Sequence, residues 1–314
     1  MGEHCRKSLC CQCIALEFTM SCMDGNVHKA LHDFVLEKGL PESLLATAEQ
    51  YLMPLTDRLA AGKQDGMQIL GINGAQGSGK STLAELLAII FRERFGWKVA
   101  VLSMDDLYLS RAVRQRLAQE VHPLLATRGV PGTHDVQLGL DTIAALRAAG
   151  SGEEIRLPRF DKANDEPVPL ECRQLAHGQV VLLIFEGWCL GALPQADSEL
   201  AEPCNDLERI EDAGGVWRRY VNRQLTEVYP SLFSAIDYQV FLKVPDFDAV
   251  LRWRGKQEDD LRAGKKGKQV MDRAELERFV QHFERLTRSQ LISMPVSADV
   301  VFELDQAQRI AFAI

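Results

Sequence analysis

Met67 to Phe95 reads MQILGINGAQGSGKSTLAELLAIIFRERF. Its opening apolar run, Ile69-Leu70-Gly71-Ile72, is too short for a helix and is closed by Asn73-Gly74, so it predicts a buried strand. Gly74-Ala75-Gln76-Gly77-Ser78-Gly79-Lys80-Ser81 then fits G-x-x-x-x-G-K-[ST] without a gap. Thr82 begins a segment in which Leu83, Leu86, Leu87, Ile90 and Phe91 recur at helical spacing. Glycines let the backbone turn sharply enough for successive N–H groups to point at phosphate oxygens, and the helix behind them adds the positive end of its dipole. In that setting Lys80 reaches the β- and γ-phosphates, and the Ser81 hydroxyl takes a place on Mg²⁺. A glycine-rich turn that merely precedes a helix needs neither this spacing nor the strand before it. Gly74 to Thr82 are therefore read as the binding loop for a nucleoside triphosphate.

Downstream, Lys98 to Met104, Val180 to Phe185, Tyr238 to Lys243 and Val300 to Leu304 read as further strands. The run Val180-Val181-Leu182-Leu183-Ile184-Phe185 is apolar throughout, as only a strand buried on both faces requires. Helical patterns separate the strands, notably Asp135 to Ala149, Trp217 to Glu227 and Arg273 to Leu291, which predicts an α/β fold with a parallel sheet flanked by helices. Upstream, residues 26–61 show two amphipathic helical faces, one through Leu31, Phe34 and Val35 and one from Leu44 to Leu59. Pro54 is expected to kink or end the second. The expected organisation is a tail over residues 1–25, a helical extension over 26–66 that packs on the core, and a nucleotide-binding domain over 67–314.

Forty-four acidic against 36 basic residues give a formal net charge of −8, without the basic footprint of a nucleic-acid binder. No apolar run is long enough to span a membrane, and a cytoplasmic protein is expected. Five of the eight cysteines (Cys5, Cys10, Cys11, Cys13, Cys22) crowd the first 22 residues. They lack the paired C-x-x-C halves of a zinc module, so an unstructured, reduced tail is the reading, with Cys172, Cys189 and Cys204 as free thiols. An over-long start, with Met20 or Met23 initiating, would account for the tail.

In open parallel sheets ligands sit beyond the carboxyl ends of the strands. The second strand runs out into Ser103-Met104-Asp105-Asp106-Leu107-Tyr108, where a carboxylate can accept a hydroxyl proton or hold Mg²⁺, or can simply cap a turn. The third ends in Glu186-Gly187-Trp188, and an acidic residue there suits an Mg²⁺ ligand. Arg128-Gly129-Val130-Pro131-Gly132-Thr133-His134-Asp135 offers a guanidinium, an imidazole and a carboxylate to a substrate, or else is a connection with Asp135 or Thr133 as helix cap. Pro158-Arg159-Phe160-Asp161-Lys162 crowds charges about an aromatic ring. After the fourth strand, Arg252 and Arg254, with Lys265, Lys266 and Lys268 beyond them, form either a lid over a transferring phosphoryl group or a solvated basic face.

Taken in order, GINGAQGSGKSTL, SMDDLYLS, TRGVPGTHD, LPRFDKA and VLLIFEGWCLG resemble the plant-type D-glycerate 3-kinases and their bacterial and fungal relatives. These are a branch of the P-loop kinases that also includes phosphoribulokinase, uridine kinase and pantothenate kinase. The resemblance runs from about Gln68 to Leu304. It implies transfer of the ATP γ-phosphoryl group to the 3-hydroxyl of D-glycerate, with ATP and Mg²⁺ required. It further implies Asp105 as base, Asp106 as support for the base or the metal, Glu186 with Ser81 at the metal, and Arg252 and Arg254 as lid arginines. Tyr108, Arg128, His134, Asp135, Arg159 and Lys162 become the candidates for holding glycerate. The rivals are a sister kinase acting on a nucleoside, a pantothenate-like acid or a sugar phosphate, and a switch protein that binds ATP without phosphorylating a small molecule. The oligomeric state is left open.

Overall fold

A computed structural model describes residues 25–263 and 271–313. The cysteine-rich start and Lys265, Lys266 and Lys268 lie outside the described residues. In chain order the strands are β1 (Gln68–Gly74), β2 (Val99–Ser103), β3 (Glu154–Arg156), β4 (Phe160–Asp161), β5 (Glu166–Pro167), β6 (Leu175–His177), β7 (Leu182–Gly187), β8 (Tyr238–Lys243), β9 (Val300–Leu304) and β10 (Ile310–Ala313). The helices are α1 (Gly25–Lys38), α2 (Ser43–Thr47), α3 (Met53–Ala61), α4 (Lys80–Phe95), α5 (Arg111–Glu120), α6 (Val136–Ala148), α7 (Asp206–Glu211), α8 (Val216–Glu227), α9 (Pro230–Phe233), α10 (Phe247–Ala263) and α11 (Arg273–Ser297).

The main sheet runs β10-β9-β8-β1-β7-β2, with β1, β2, β7, β8 and β9 parallel and β10 antiparallel at one edge. Every residue of β7 is buried, because successive side chains point to opposite faces and both faces are covered. Leu182 and Ile184 join the core beneath α4, while Leu183 and Phe185 join the core beneath α6 and α8. The helical extension shares the first of these cores, since Val27, Leu31, Leu52 and Met53 pack with Leu83, Leu87 and Phe91.

Pro54 does not end the helical run. A π turn over Ala48–Leu52 joins α2 to α3, and the Met53 N–H reaches back to Ala48 O. The wider turn lets the helix continue past a residue that has no N–H and whose ring would crowd the carbonyl four residues earlier. Strand β10 and the two ribbons, β3 with β6 and β4 with β5, are additions to the expected sheet. The ribbons carry the charged Arg159–Lys162 stretch.

Ser103 and Glu186 are register partners, and so are Glu186 and Ile72. The segments leaving the carboxyl ends of β2, β7 and β1 therefore emerge side by side at one edge of the sheet. No helix among the described residues is long and apolar enough to cross a membrane.

Candidate active site

Beyond β1 the chain turns through Gly77 (φ +78°) and Gly79 (φ +89°) into α4, conformations that side chains resist. Helix α10 lies against this loop, for a Cβ on Gly77 would stand 3.1 Å from Cβ of Trp253 and 3.6 Å from the Arg254 nitrogen. The Gln308 side-chain amide donates to Gly77 O, which ties the turn before β10 to the same loop. Ser81, in the first turn of α4, donates its hydroxyl to Glu186 Oε1 at 2.9 Å. Glu186 is 5% exposed and its Oε2 has no hydrogen-bond partner. A hydroxyl and a carboxylate with an orphaned oxygen form the hard oxygen donor set that suits Mg²⁺, which takes few protein ligands beside phosphates and water. Ser81 and Glu186 thus fit that ion.

After β2, a single 3-10 turn over Met104–Leu107 is capped by Ser103, whose Oγ accepts from Asp105 N. Successive residues in such a turn project about 120° apart, so the two carboxylates diverge. Asp105 faces the loop: Oδ1 accepts from the Tyr108 hydroxyl at 2.7 Å and Oδ2 from Lys162 Nζ at 2.6 Å. Burial alone would raise the Asp105 carboxyl, but the charges of Lys162 and Lys80 and these two hydrogen bonds hold it well below the usual carboxylate range. Asp106 turns the other way. It accepts from Phe160 N at 3.1 Å and from Arg159 Nη1 at 3.2 Å, while burial pushes its own carboxyl up. Its carboxylate anchors the 159–162 segment that carries Lys162, and it borders the same cavity as Ser81, Asp105 and Glu186.

Two cavities meet at this edge. The first, about 420 Å³, is lined by the phosphate loop together with Asp105, Tyr108, Arg128, Lys162 and Arg254. Four cations (Lys80, Arg128, Lys162, Arg254) face one carboxylate (Asp105) there. The second, about 700 Å³, runs between the free edge of β2 and the ribbons, and five carboxylates (Glu85, Asp105, Asp106, Asp161, Glu186) outnumber its three cations (Arg92, Arg159, Lys162). Ser81, Asp105 and Lys162 border both.

Of the acceptor candidates, Tyr108, Arg128 and Lys162 line the cationic cleft, and Arg159 lines the larger cavity. His134 and Asp135 line neither. Asp135 caps α6, accepting from Leu138 N at 2.9 Å. His134 is buried behind Tyr108, with ring centroids 4.7 Å apart and Nδ1 2.7 Å from the Tyr229 hydroxyl, and burial pushes its pKa down to about 4. Residues 134 and 135 thus brace the cleft from behind instead of lining it. The lid pair also separates, since residues two apart on a helix face different ways. Arg254 looks into the cleft and pairs with Glu258 at 2.5 Å, whereas Arg252 turns out to Asp246 and Gln306.

Several residues of the site carry no signal in the sequence. Arg114, on an otherwise polar helix, is 1% exposed and donates to Leu109 O, Ala126 O and Asp165 Oδ2, the last at 2.6 Å. Arg128 takes the other Asp165 oxygen at 2.5 Å, so two guanidiniums clamp the end of the Lys162 loop. Trp188 donates to Gly129 O, and Phe279 and Phe283 of α11 complete the cleft wall. Periodicity cannot mark a buried arginine in a polar helix, although the indole of Trp188 comes directly after the strand end at Glu186-Gly187.

No protein-family model matches the chain. It is 34% identical over 223 residues to the uncharacterized kinase mug58 of Schizosaccharomyces pombe, covering 68% of this chain and 78% of that protein. It is 28% identical over 222 residues to the chloroplastic D-glycerate 3-kinase of Arabidopsis thaliana, spanning 68% of this chain but 46% of that one. Among solved structures, D-glycerate 3-kinase from Cryptococcus neoformans superposes with a TM-score of 0.66 at 22% identity, over 93% of this chain and 99% of the other, a likeness of fold. On the strength of the phosphate loop, the sheet and these relatives, the chain belongs to the family of P-loop kinases that includes the D-glycerate 3-kinases.

Proposed function

We propose that this kinase transfers the γ-phosphoryl group of ATP to the 3-hydroxyl of D-glycerate, giving 3-phosphoglycerate and ADP. The observation that carries the reading is the cationic cleft, in which a single ionised carboxylate, Asp105, stands among Lys80, Arg128, Lys162 and Arg254. The excess of cations suits a triphosphate together with a small anionic acceptor, and the carboxylate-rich second cavity does not. The names of the Arabidopsis and Cryptococcus relatives support D-glycerate as that acceptor.

Phosphoryl transfer passes through a loose transition state, so the protein's part is positioning and charge stabilisation. Loop amides from Gly74 to Thr82, with Lys80, would hold the phosphates, and Arg254 would meet the charge that develops on the transferring group. Ser81 and Glu186 would hold Mg²⁺, which when bound offsets phosphate charge. Asp105 would take the proton from the acceptor hydroxyl, with Tyr108 fixing its orientation through Oδ1.

The test is ADP formation by the purified chain with ATP, Mg²⁺ and, in turn, D-glycerate, L-glycerate, glycerol, uridine and pantothenate. D-glycerate alone is expected to support turnover. Turnover with uridine or pantothenate instead would move the chain to a sister kinase, and ADP release indifferent to any acceptor would favour a switch protein.

A further inference from the structure

We infer that Lys162 makes the base conditional on the acceptor: it holds Asp105 in an ion pair until an anionic acceptor draws its ammonium away, so Asp105 can accept a proton only with such an acceptor in the cleft. The inference rests on reading Asp105 as the base of a glycerate kinase.

Both oxygens of Asp105 already have donors, Tyr108 on Oδ1 at 2.7 Å and Lys162 on Oδ2 at 2.6 Å. A carboxylate that took up a proton in this state would lose its ion pair, so the paired base resists deprotonating any hydroxyl, water included. The pair stands at the partition between the two cavities. The backbone around Lys162 is held from several sides: Arg128 donates to Lys162 O, Asp161 accepts from Ala163 N and Asn164 N, Arg114 and Arg128 grip Asp165, and Asp106 holds Phe160 N. The loop is fixed while the lysine side chain, 58% exposed, spans the cleft as a point charge on a flexible stem. The Asp105 end of the pair is mostly buried but the ammonium end is exposed, so a competing carboxylate in the cleft can reach Lys162.

Once Lys162 moves onto the acceptor's carboxylate, Asp105 keeps Tyr108 on Oδ1 and presents Oδ2 to the acceptor hydroxyl. In the transfer itself, the hydroxyl proton passes to Asp105 Oδ2 and the hydroxyl oxygen bonds to the γ-phosphorus. The bond from that phosphorus to the β,γ-bridging oxygen breaks, and its electron pair leaves with ADP. Water entering without an acceptor meets the paired form and is not activated.

The test uses the full chain, wild type and Lys162→Met, with ATP and Mg²⁺ and four conditions: no acceptor, D-glycerate, D-lactate (the carboxylate without the 3-hydroxyl) and glycerol (hydroxyls without the carboxylate). In wild type, D-lactate is expected to raise phosphate release about tenfold, the scale of one charge-assisted hydrogen bond. Lys162→Met is expected to hydrolyse ATP unprompted at a similarly raised rate and to ignore D-lactate. Its KM for D-glycerate should rise about tenfold or more, with the preference for D-glycerate over glycerol narrowed. A wild type that phosphorylates D-glycerate but shows no lactate stimulation, with basal hydrolysis unchanged in Lys162→Met, overturns the inference. So does a variant that only loses activity. If wild type phosphorylates no glycerate, the underlying reading fails as well, so the two failures are distinguishable.

Discussion

Arg114→Met tests whether the clamp behind the acceptor loop does what its geometry implies. Arg114 is 1% exposed, and methionine preserves most of its apolar stem while removing every donor. Four acceptors lose a bond: Leu109 O (3.1 Å from Nε), Ala126 O (2.7 Å from Nη1), the Asp165 carboxylate (2.6 Å from Nη2) and Asp165 O (3.4 Å from Nη2). Each stranded buried acceptor costs about 1–3 kcal/mol. Asp165 retains Arg128 and some solvent, which softens its share. The expected loss is therefore that of the two stranded backbone carbonyls, Leu109 O and Ala126 O, about 2–6 kcal/mol together. Urea unfolding at neutral pH measures it, as a fall in midpoint at unchanged slope. The variant should also bind acceptor poorly, because Asp165 ends the loop that carries Lys162, while KM for ATP stays near the wild-type value. A stability change within about 0.5 kcal/mol, the usual range for exposed substitutions, together with an unaltered acceptor KM, would refute the reasoning.

Asp105→Asn keeps the hydrogen bond from Tyr108 but cannot take a proton, so turnover should fall about 10²- to 10⁴-fold with ATP affinity retained; near-normal kcat would remove Asp105 from the base role. Arg254→Ala should lower kcat, whereas Arg252→Ala, whose guanidinium points to Asp246 and Gln306, should leave it within about twofold; steady-state kinetics of the pair would contradict the assignment if the effects were equal. Burial pushes His134 and His282 each down to about 4, so between about pH 6.5 and 4 the unfolded chain binds protons that the folded chain excludes. Stability is therefore full above that window and is lost as pH falls through it, by on the order of 3 kcal/mol per histidine at the lower end. An unfolding midpoint flat from pH 7 to 5 would contradict this.

The sheet was legible because its strands are either uniformly apolar, as in β7, or stand where the glycine loop demands them. Strand β10 was not, since Ile310-Ala311-Phe312-Ala313 is short and its Phe312 is exposed, which leaves no alternation to read. At the site, spacing identified the loop and marked the strand ends at which the Asp105-Asp106 pair and Glu186 stand, while the resemblance singled out Asp105. Spacing could not separate Asp105 from Asp106 or Arg252 from Arg254, because which of two near neighbours faces a cleft depends on the rotation of the local turn. The stretch from Arg128 to Asp135 was ambiguous for a related reason: capping and binding use the same residue types, and here Asp135 caps while Arg128 lines the cleft. Arg114 and Asp165 gain their roles from contacts 51 residues apart, which no local pattern encodes.

The most direct measurement is phosphorus NMR of the product formed from ATP, Mg²⁺ and D-glycerate, with L-glycerate and no-acceptor controls. A 3-phosphoglycerate resonance that requires the D isomer is the expected result. A 2-phosphoglycerate resonance, or ADP formed to the same extent without acceptor, would contradict the account.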